Sequence, residues 1–128
     1  LDEIVKEFQS HQIRVSLFVS PSIYTLDNLS DIKPDRVELY TFDYAHNFAA
    51  DKINSIKPYK EVVNFIKNNM SYIELNAGHD LNLENLDYLL KEIPYIKEVS
   101  IGHALVIDAF TFGLEKTIKK YRSITQNN

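Results

Sequence analysis

At 128 residues, with 45% apolar and 25% charged side chains, the chain fits one domain with room for a hydrophobic core. Fourteen basic residues against eighteen acidic ones leave a formal charge of −4, without the basic stripe that nucleic-acid binding needs, and there is no cysteine for a disulfide framework or thiolate chemistry. No apolar run approaches the roughly 20 residues of a membrane span, and residues 1–8 lack both regions of a signal peptide, so a cytoplasmic setting without nucleic-acid or membrane partners is expected.

Ile4, Val5 and Phe8 stand at helical spacing, so the chain is expected to begin inside a helix, without an initiator Met. A β-rich run over residues 13–20 follows, then a short helix marked by Ile23, Leu26 and Leu29 and ended by Pro34. The second run, 36–41, leads through an expected polar loop to Tyr59, Val62, Val63 and Ile66 at i, i+3, i+4, i+7. The third, 72–76, precedes a helix with Asn82 as its N-cap and Leu83, Leu86, Leu89 and Leu90 behind it. The fourth, 98–101, precedes a long helix in which Phe110, Leu114, Ile118 and Tyr121 form one apolar stripe beside a Glu115–Lys119 pair. Gln126, Asn127 and Asn128 read as a frayed tail.

Strands alternating with helices predict βαβ units and a parallel sheet, either open and doubly wound or part of a (β/α)8 barrel. Four units are half a barrel, with two unpaired edges and an uncovered inner face. Together with the mid-helix start, this predicts residues 1–128 to be a single segment of a barrel whose N-terminal half is absent. An open four-stranded sheet is the alternative.

Both folds place ligands beyond the C-terminal ends of the strands. Three places there carry chemistry. In Asn76-Ala77-Gly78-His79, Gly78 is expected to make a sharp turn that presents His79 at the mouth, where an imidazole exchanges protons near neutral pH; a capping or merely solvated His is the plain alternative. In Ile101-Gly102-His103-Ala104 a strand hands over to a helix, and the free N–H groups there suit an anion, although a simple Gly turn needs no ligand. Glu38 alternates with Val37 and Leu39, so it is expected to point into the barrel, as a functional carboxylate or in an internal ion pair with Arg36 or a lysine of the absent half. Arg14 at a strand start reads as structural, His11 as solvated, and His46 as a residue that could line the site. No cluster has metal-ligand spacing, and there is no P-loop, GxGxxG or GxSxG pattern.

The same segments resemble the pyridoxine 5′-phosphate synthase family, barrel enzymes that close the vitamin B6 ring. Residues 14–19 resemble its fifth strand, Val37-Glu38-Leu39-Tyr40-Thr41 with Tyr44-Ala45 its sixth, Asn76-Ala77-Gly78-His79 with Leu81, Asn82 and Asn85 its seventh, and Ile101-Gly102-His103-Ala104 with Phe112-Gly113-Leu114 its eighth. The resemblance covers nearly the whole chain and implies an α/β fold, the C-terminal half (about strands 5–8) of a (β/α)8 TIM barrel. It implies a transferase that condenses 1-deoxy-D-xylulose 5-phosphate with 3-amino-2-oxopropyl phosphate, losing phosphate and water, so the partners are phosphorylated small molecules. By the same resemblance His79 is the proton donor and Glu38 stabilises charge in the transition state. Gly102 and His103, with Asp80 beside them, belong to the substrate-binding set. No metal or cofactor is implied. The full-length enzyme is expected to be a homo-oligomer, and this segment alone inactive, since other catalytic groups lie in the first half. Two departures stand out: Asp80 where the family usually has Gly, and Tyr40-Thr41-Phe42 where His-Thr-Gly is usual. The rival expectations are another phosphosugar-handling barrel, and a non-catalytic phosphate-binding relative, which Asp80 favours.

Overall fold

The computed structural model describes residues 1–27 and 29–126. Its elements are α1 (Asp2–Ser10), β1 (Ser16–Val19), a 3-10 turn (Ile23–Leu26), α2 (Leu29–Ile32), β2 (Arg36–Tyr40), α3 (Phe42–Ser55), α4 (Lys57–Asn69), β3 (Glu74–Gly78), α5 (Leu86–Glu92), β4 (Ile96–Ser100), α6 (His103–Phe112) and α7 (Leu114–Gln126). The four strands form one sheet in the order β1-β2-β3-β4, and every pairing is parallel. That order never reverses. A doubly wound sheet needs a reversal to place helices on both faces, so the arrangement here is singly wound.

The two faces differ accordingly. Val37 and Leu39 of β2 and Leu75 and Ala77 of β3 are fully buried, in one core with Tyr59, Val62, Val63 and Ile66 of α4 and Leu86, Leu89 and Leu90 of α5. Each such aliphatic side chain taken out of water contributes about 1.5–3 kcal/mol. On the opposite face, in register, stand Ser16 and Phe18, then Arg36, Glu38 and Tyr40, then Glu74, Asn76 and Gly78, then Glu98 and Ser100. Phe18, Glu74, Glu98 and Ser100 are exposed there, so no helix covers this face among the described residues. A parallel strand buried on one side and polar on the other is what a half-built barrel presents.

Several local expectations shift. The segment after β2 is no loop: α3 begins directly at Phe42, burying Tyr44 and packing Phe48, while its polar residues face out. Its narrow apolar stripe hid it among polar residues. The helix kinks at Asp51 (φ −156°, ψ 83°), whose carboxylate accepts the Asn54 N–H at 3.0 Å and is held below the usual carboxylate range by that bond. Asn82 caps a turn rather than α5: its Oδ1 accepts from the Glu84 and Asn85 N–H groups at 2.9 and 3.2 Å, and α5 starts one turn later, after Asn85. The expected long last helix is two, because Gly113 adopts φ +83° between α6 and α7. The apolar stripe therefore does not form: Phe110 is 89% exposed whereas Tyr121 is buried, although Lys119 and Glu115 do pair at 2.6 Å. The helix after β1 is two short pieces, and of the three tail residues Gln126 closes α7 while Asn127 and Asn128 lie outside the described residues.

Candidate active site

The C-terminal ends of β2, β3 and β4 lie side by side, so His79, Glu38 and Gly102-His103 share one rim of the sheet. Gly78 is the last residue of β3, not the turn; the turn is made by His79 and Asp80, both at positive φ (92° and 59°). Asp tolerates the left-handed region, whereas a His there costs roughly 1–3 kcal/mol that the surroundings must offset. They do so with hydrogen bonds. The buried Thr41 hydroxyl donates to the carbonyls of Gly78 (2.7 Å) and His79 (2.6 Å), and the Thr41 N–H also donates to Gly78 (2.9 Å). On the far side, the buried Asn85 amide donates to the Asp80 carbonyl at 3.2 Å and accepts the Asn82 N–H at 2.9 Å. The His79 turn is thus pinned from both flanks.

Gly78 has a different reason to be glycine than a turn. A Cβ there would collide with Glu38 Oε1 and come within 3.0 Å of the Ser100 Cβ. Its absence makes room for the Glu38 carboxylate, which lies over β3 and accepts the Ser100 hydroxyl at 3.0 Å. Glu38 therefore stands on the uncovered face, as alternation predicts. The ion pair with Arg36, one of the alternatives for Glu38, is not made. Arg36 instead binds Glu74 (2.6 Å) and Glu98 (2.7 Å) and donates to Asn76 (2.9 Å), lower on the same face, and Arg14 also reaches Glu98 at 3.3 Å. That network leaves Glu38 free of a cationic partner among the described residues.

The imidazole of His79 is walled by aromatic rings. The Tyr40 ring meets it edge-on at 4.6 Å and Phe42 at 5.8 Å, Phe42 stacks on His46 at 5.7 Å, and Phe18 packs edge-on against Tyr40 at 5.2 Å. Its Nδ1 lies 3.2 Å from Asp80 Oδ2. His46 thus lines the cluster. Gly102 caps α6 with no side-chain bond to its first turn, and His103 opens that helix, exposed. No hydrogen bond or ring contact joins His103 to His79 among the described residues, so the rim holds two separate centres, one an imidazole on a turn and one a helix terminus. His11 caps α1 through the Glu7 carbonyl at 2.9 Å, far from the rim in the fold, at the opposite ends of the strands.

Behind the rim two tyrosines stiffen the β2–α3 corner. The Tyr59 hydroxyl donates to the Tyr40 carbonyl (2.9 Å) and accepts the Tyr44 N–H (3.2 Å), while the Tyr44 hydroxyl donates to the Asn85 carbonyl (2.6 Å). Burial pushes the Tyr59 phenol up to about 12 and raises that of Tyr44 further, so both remain neutral donors.

Thr41, Tyr40, Phe42, Asn85 and Ser100 were not singled out by sequence reasoning as site residues. Thr41 carried a usable signal: Val37, Leu39 and Thr41 alternate onto the buried face, and a buried hydroxyl demands an acceptor. Ser100 carried none, since only the strand register brings it to Glu38.

Comparison with known proteins bears on this arrangement. The model of one protein family, described as "Pyridoxal phosphate biosynthesis protein PdxJ", matches residues 1–127. A protein of Cytophaga hutchinsonii named pyridoxine 5′-phosphate synthase is 47% identical over 121 residues, covering 94% of this chain and 50% of that protein. Proteins of the same name from Christiangramia forsetii and Parabacteroides distasonis are 42% and 43% identical, over 94% and 96% of this chain and 50% and 51% of theirs. The chain spans about half the length of the curated relatives it matches.

Proposed function

We propose that this chain, which belongs to the pyridoxal phosphate biosynthesis protein PdxJ family, is the C-terminal half of a pyridoxine 5′-phosphate synthase barrel, with β1 to β4 as its fifth to eighth strands. The singly wound order and the one-sided helix layer support a closed barrel. So does the convergence of Arg14, Arg36, Glu74 and Glu98: side chains from strands up to three spacings of about 4.8 Å apart meet over one face, as on the concave side of a curling sheet. Arg36 Nε is buried without a partner among the described residues, and Phe8, Ile13 and Phe18 flank β1 exposed; strands from the other half would serve both.

In the assembled enzyme, 1-deoxy-D-xylulose 5-phosphate condenses with 3-amino-2-oxopropyl phosphate to pyridoxine 5′-phosphate, with loss of phosphate and water. Schiff-base formation, dehydration and ring closure each move protons, and His79 is the group that carries them. Glu38, unpaired by any cation here, stabilises positive charge that develops beside it. The first turn of α6 at Gly102 and His103 receives a phosphate through its free N–H groups. The observation that carries this reading is the His79 turn: an imidazole held at positive φ by Thr41 and Asn85, at the strand ends of a chain that matches the family throughout. Assembly as a homo-oligomer is part of the proposal; Val106, Ile107 and Phe110 leave one side of α6 apolar and exposed. The full-length protein, given both phosphorylated substrates, is expected to release pyridoxine 5′-phosphate and inorganic phosphate in equal amounts. Substrate binding with no release of phosphate would replace this reading with that of a non-catalytic phosphate-binding relative.

A further inference from the structure

Glu38 stands level with Asn76 on β3, and Asn76 with Glu98 on β4, so two carboxylates face each other across one strand. They are held at different heights. Glu98 is taken by Arg14 and Arg36, which lie nearer the N-terminal ends of the strands. Glu38 leans the other way: its Oε2 accepts the hydroxyl of Ser100, which is level with Gly78 and two residues closer to the rim. We propose that Ser100 is a positioning residue for Glu38: its hydroxyl fixes Oε2 and leaves Oε1 as the oxygen offered to the substrate.

Three features support this. The first is the bond itself, at 3.0 Å: an ionised carboxylate only accepts, so the hydroxyl must donate, and a bond to a charged acceptor is stronger than one between neutral groups. The second is its span. Glu38 reaches from β2 over β3 to β4, two strand spacings or about 10 Å, and only a glycine at position 78 permits it. A Cβ there would collide with Glu38 Oε1, come within 3.1 Å of Glu38 Cδ and stand 3.0 Å from Ser100 Cβ, so both ends of the contact use the same missing side chain. The third is what else could hold the carboxylate. No cation does so among the described residues, and Oε1 accepts no hydrogen bond among them, so without Ser100 a long side chain would be free to rotate. Fixing it before the substrate arrives removes that cost from the reaction. Ser100 is exposed and Glu38 half-buried on the uncovered face, which in a closed barrel turns inward, where water competes less for the bond. Gly78 directly precedes His79, and Ser100 stands two residues before Gly102, so the contact also ties together the three strand ends of the rim.

This rests on Glu38 stabilising charge in the reaction, and the test separates the two claims. In the full-length protein with both substrates, Ser100→Ala is expected to lower kcat roughly tenfold while KM and the melting temperature stay nearly unchanged. Ser100→Thr keeps the hydroxyl and is expected to recover most of the rate. Gly78→Ala, at a backbone position without positive φ, puts a methyl where the carboxylate lies and is expected to lower kcat at least as far. Glu38→Gln removes the charge that Ser100 aims, so adding Ser100→Ala to it is expected to cost nothing further. Normal kcat in Ser100→Ala beside a large loss in Glu38→Gln overturns the proposal alone. An equal loss from Ser100→Ala with and without the Glu38 charge overturns it too, because Ser100 would then act independently of Glu38. Normal turnover in Glu38→Gln overturns the role of Glu38 and the proposal with it.

Discussion

Thr41→Val isolates what holds the His79 turn. Valine matches threonine in shape and branching, so it fits the buried site at the end of β2 and keeps the local backbone (φ −96°, ψ 13°). What is lost is one hydroxyl shared between two carbonyls, at 2.7 and 2.6 Å. A buried hydroxyl removed in this way costs about 1–3 kcal/mol; the Gly78 carbonyl keeps the Thr41 N–H, whereas the His79 carbonyl loses the Thr41 hydroxyl. In a protein twice as long as this chain, that lowers the melting temperature by roughly 2–10 °C. The functional consequence should exceed the stability loss. The His79 backbone, at φ 92°, loses the bond that offsets its strain, so the imidazole samples positions away from the substrate and kcat falls by about tenfold or more. Thr41→Ser restores the hydroxyl and should restore most of the rate. The assay pairs a thermal melt with steady-state turnover of the full-length enzyme. Unchanged melting and unchanged turnover in Thr41→Val would refute the latch; a lower melting temperature with normal kcat would confine Thr41 to stability.

Two further predictions use groups already described. Glu38→Gln keeps an acceptor for the Ser100 hydroxyl but removes the charge, so turnover should fall on the order of 10²-fold with little change in melting temperature; a large stability loss with turnover preserved would make Glu38 a structural carboxylate. The Tyr59 phenol is neutral in the fold up to about pH 12 but ionises near 10 when unfolded, so its stabilising contribution is complete below pH 10 and is lost as pH rises to about 12, by about 3 kcal/mol. Urea titrations from pH 8 to 11.5 should show that loss in the wild type and a shallower one in Tyr59→Phe; identical slopes would contradict it.

How much of this was legible in the sequence depends on the range of the interaction. Strand alternation placed Val37 and Leu39 inward and Glu38 on the other face, and the i, i+3, i+4, i+7 spacing of Tyr59, Val62, Val63 and Ile66 placed the inner face of α4. Strand ends named His79, Gly102 and His103 as rim residues. Local signals failed where a tertiary partner decided. Gly78 read as a turn glycine, but its missing side chain makes room for Glu38 from the neighbouring strand. Arg36 was one of the partners open to Glu38, but register set it beside Glu74 and Glu98. The polar-looking segment after Thr41 folds as α3 because Tyr44 and Phe48 find partners in Tyr59 and Tyr88, a stripe too narrow to show in sequence. Asp80 read as a substrate neighbour, and only the positive φ of two successive residues brought its carboxylate to the imidazole.

On the proposed reading, His79 moves protons during turnover. His79→Asn in the full-length protein tests it most directly, with both substrates present and a thermal melt run alongside. Asparagine tolerates the left-handed backbone, so the fold and substrate binding should persist. The substitution is expected to cost roughly 10²–10⁴ in kcat, the scale on which a general acid or base contributes. Near-normal kcat with at most about 1 kcal/mol of lost stability, the effect of removing a solvated cap, would contradict it.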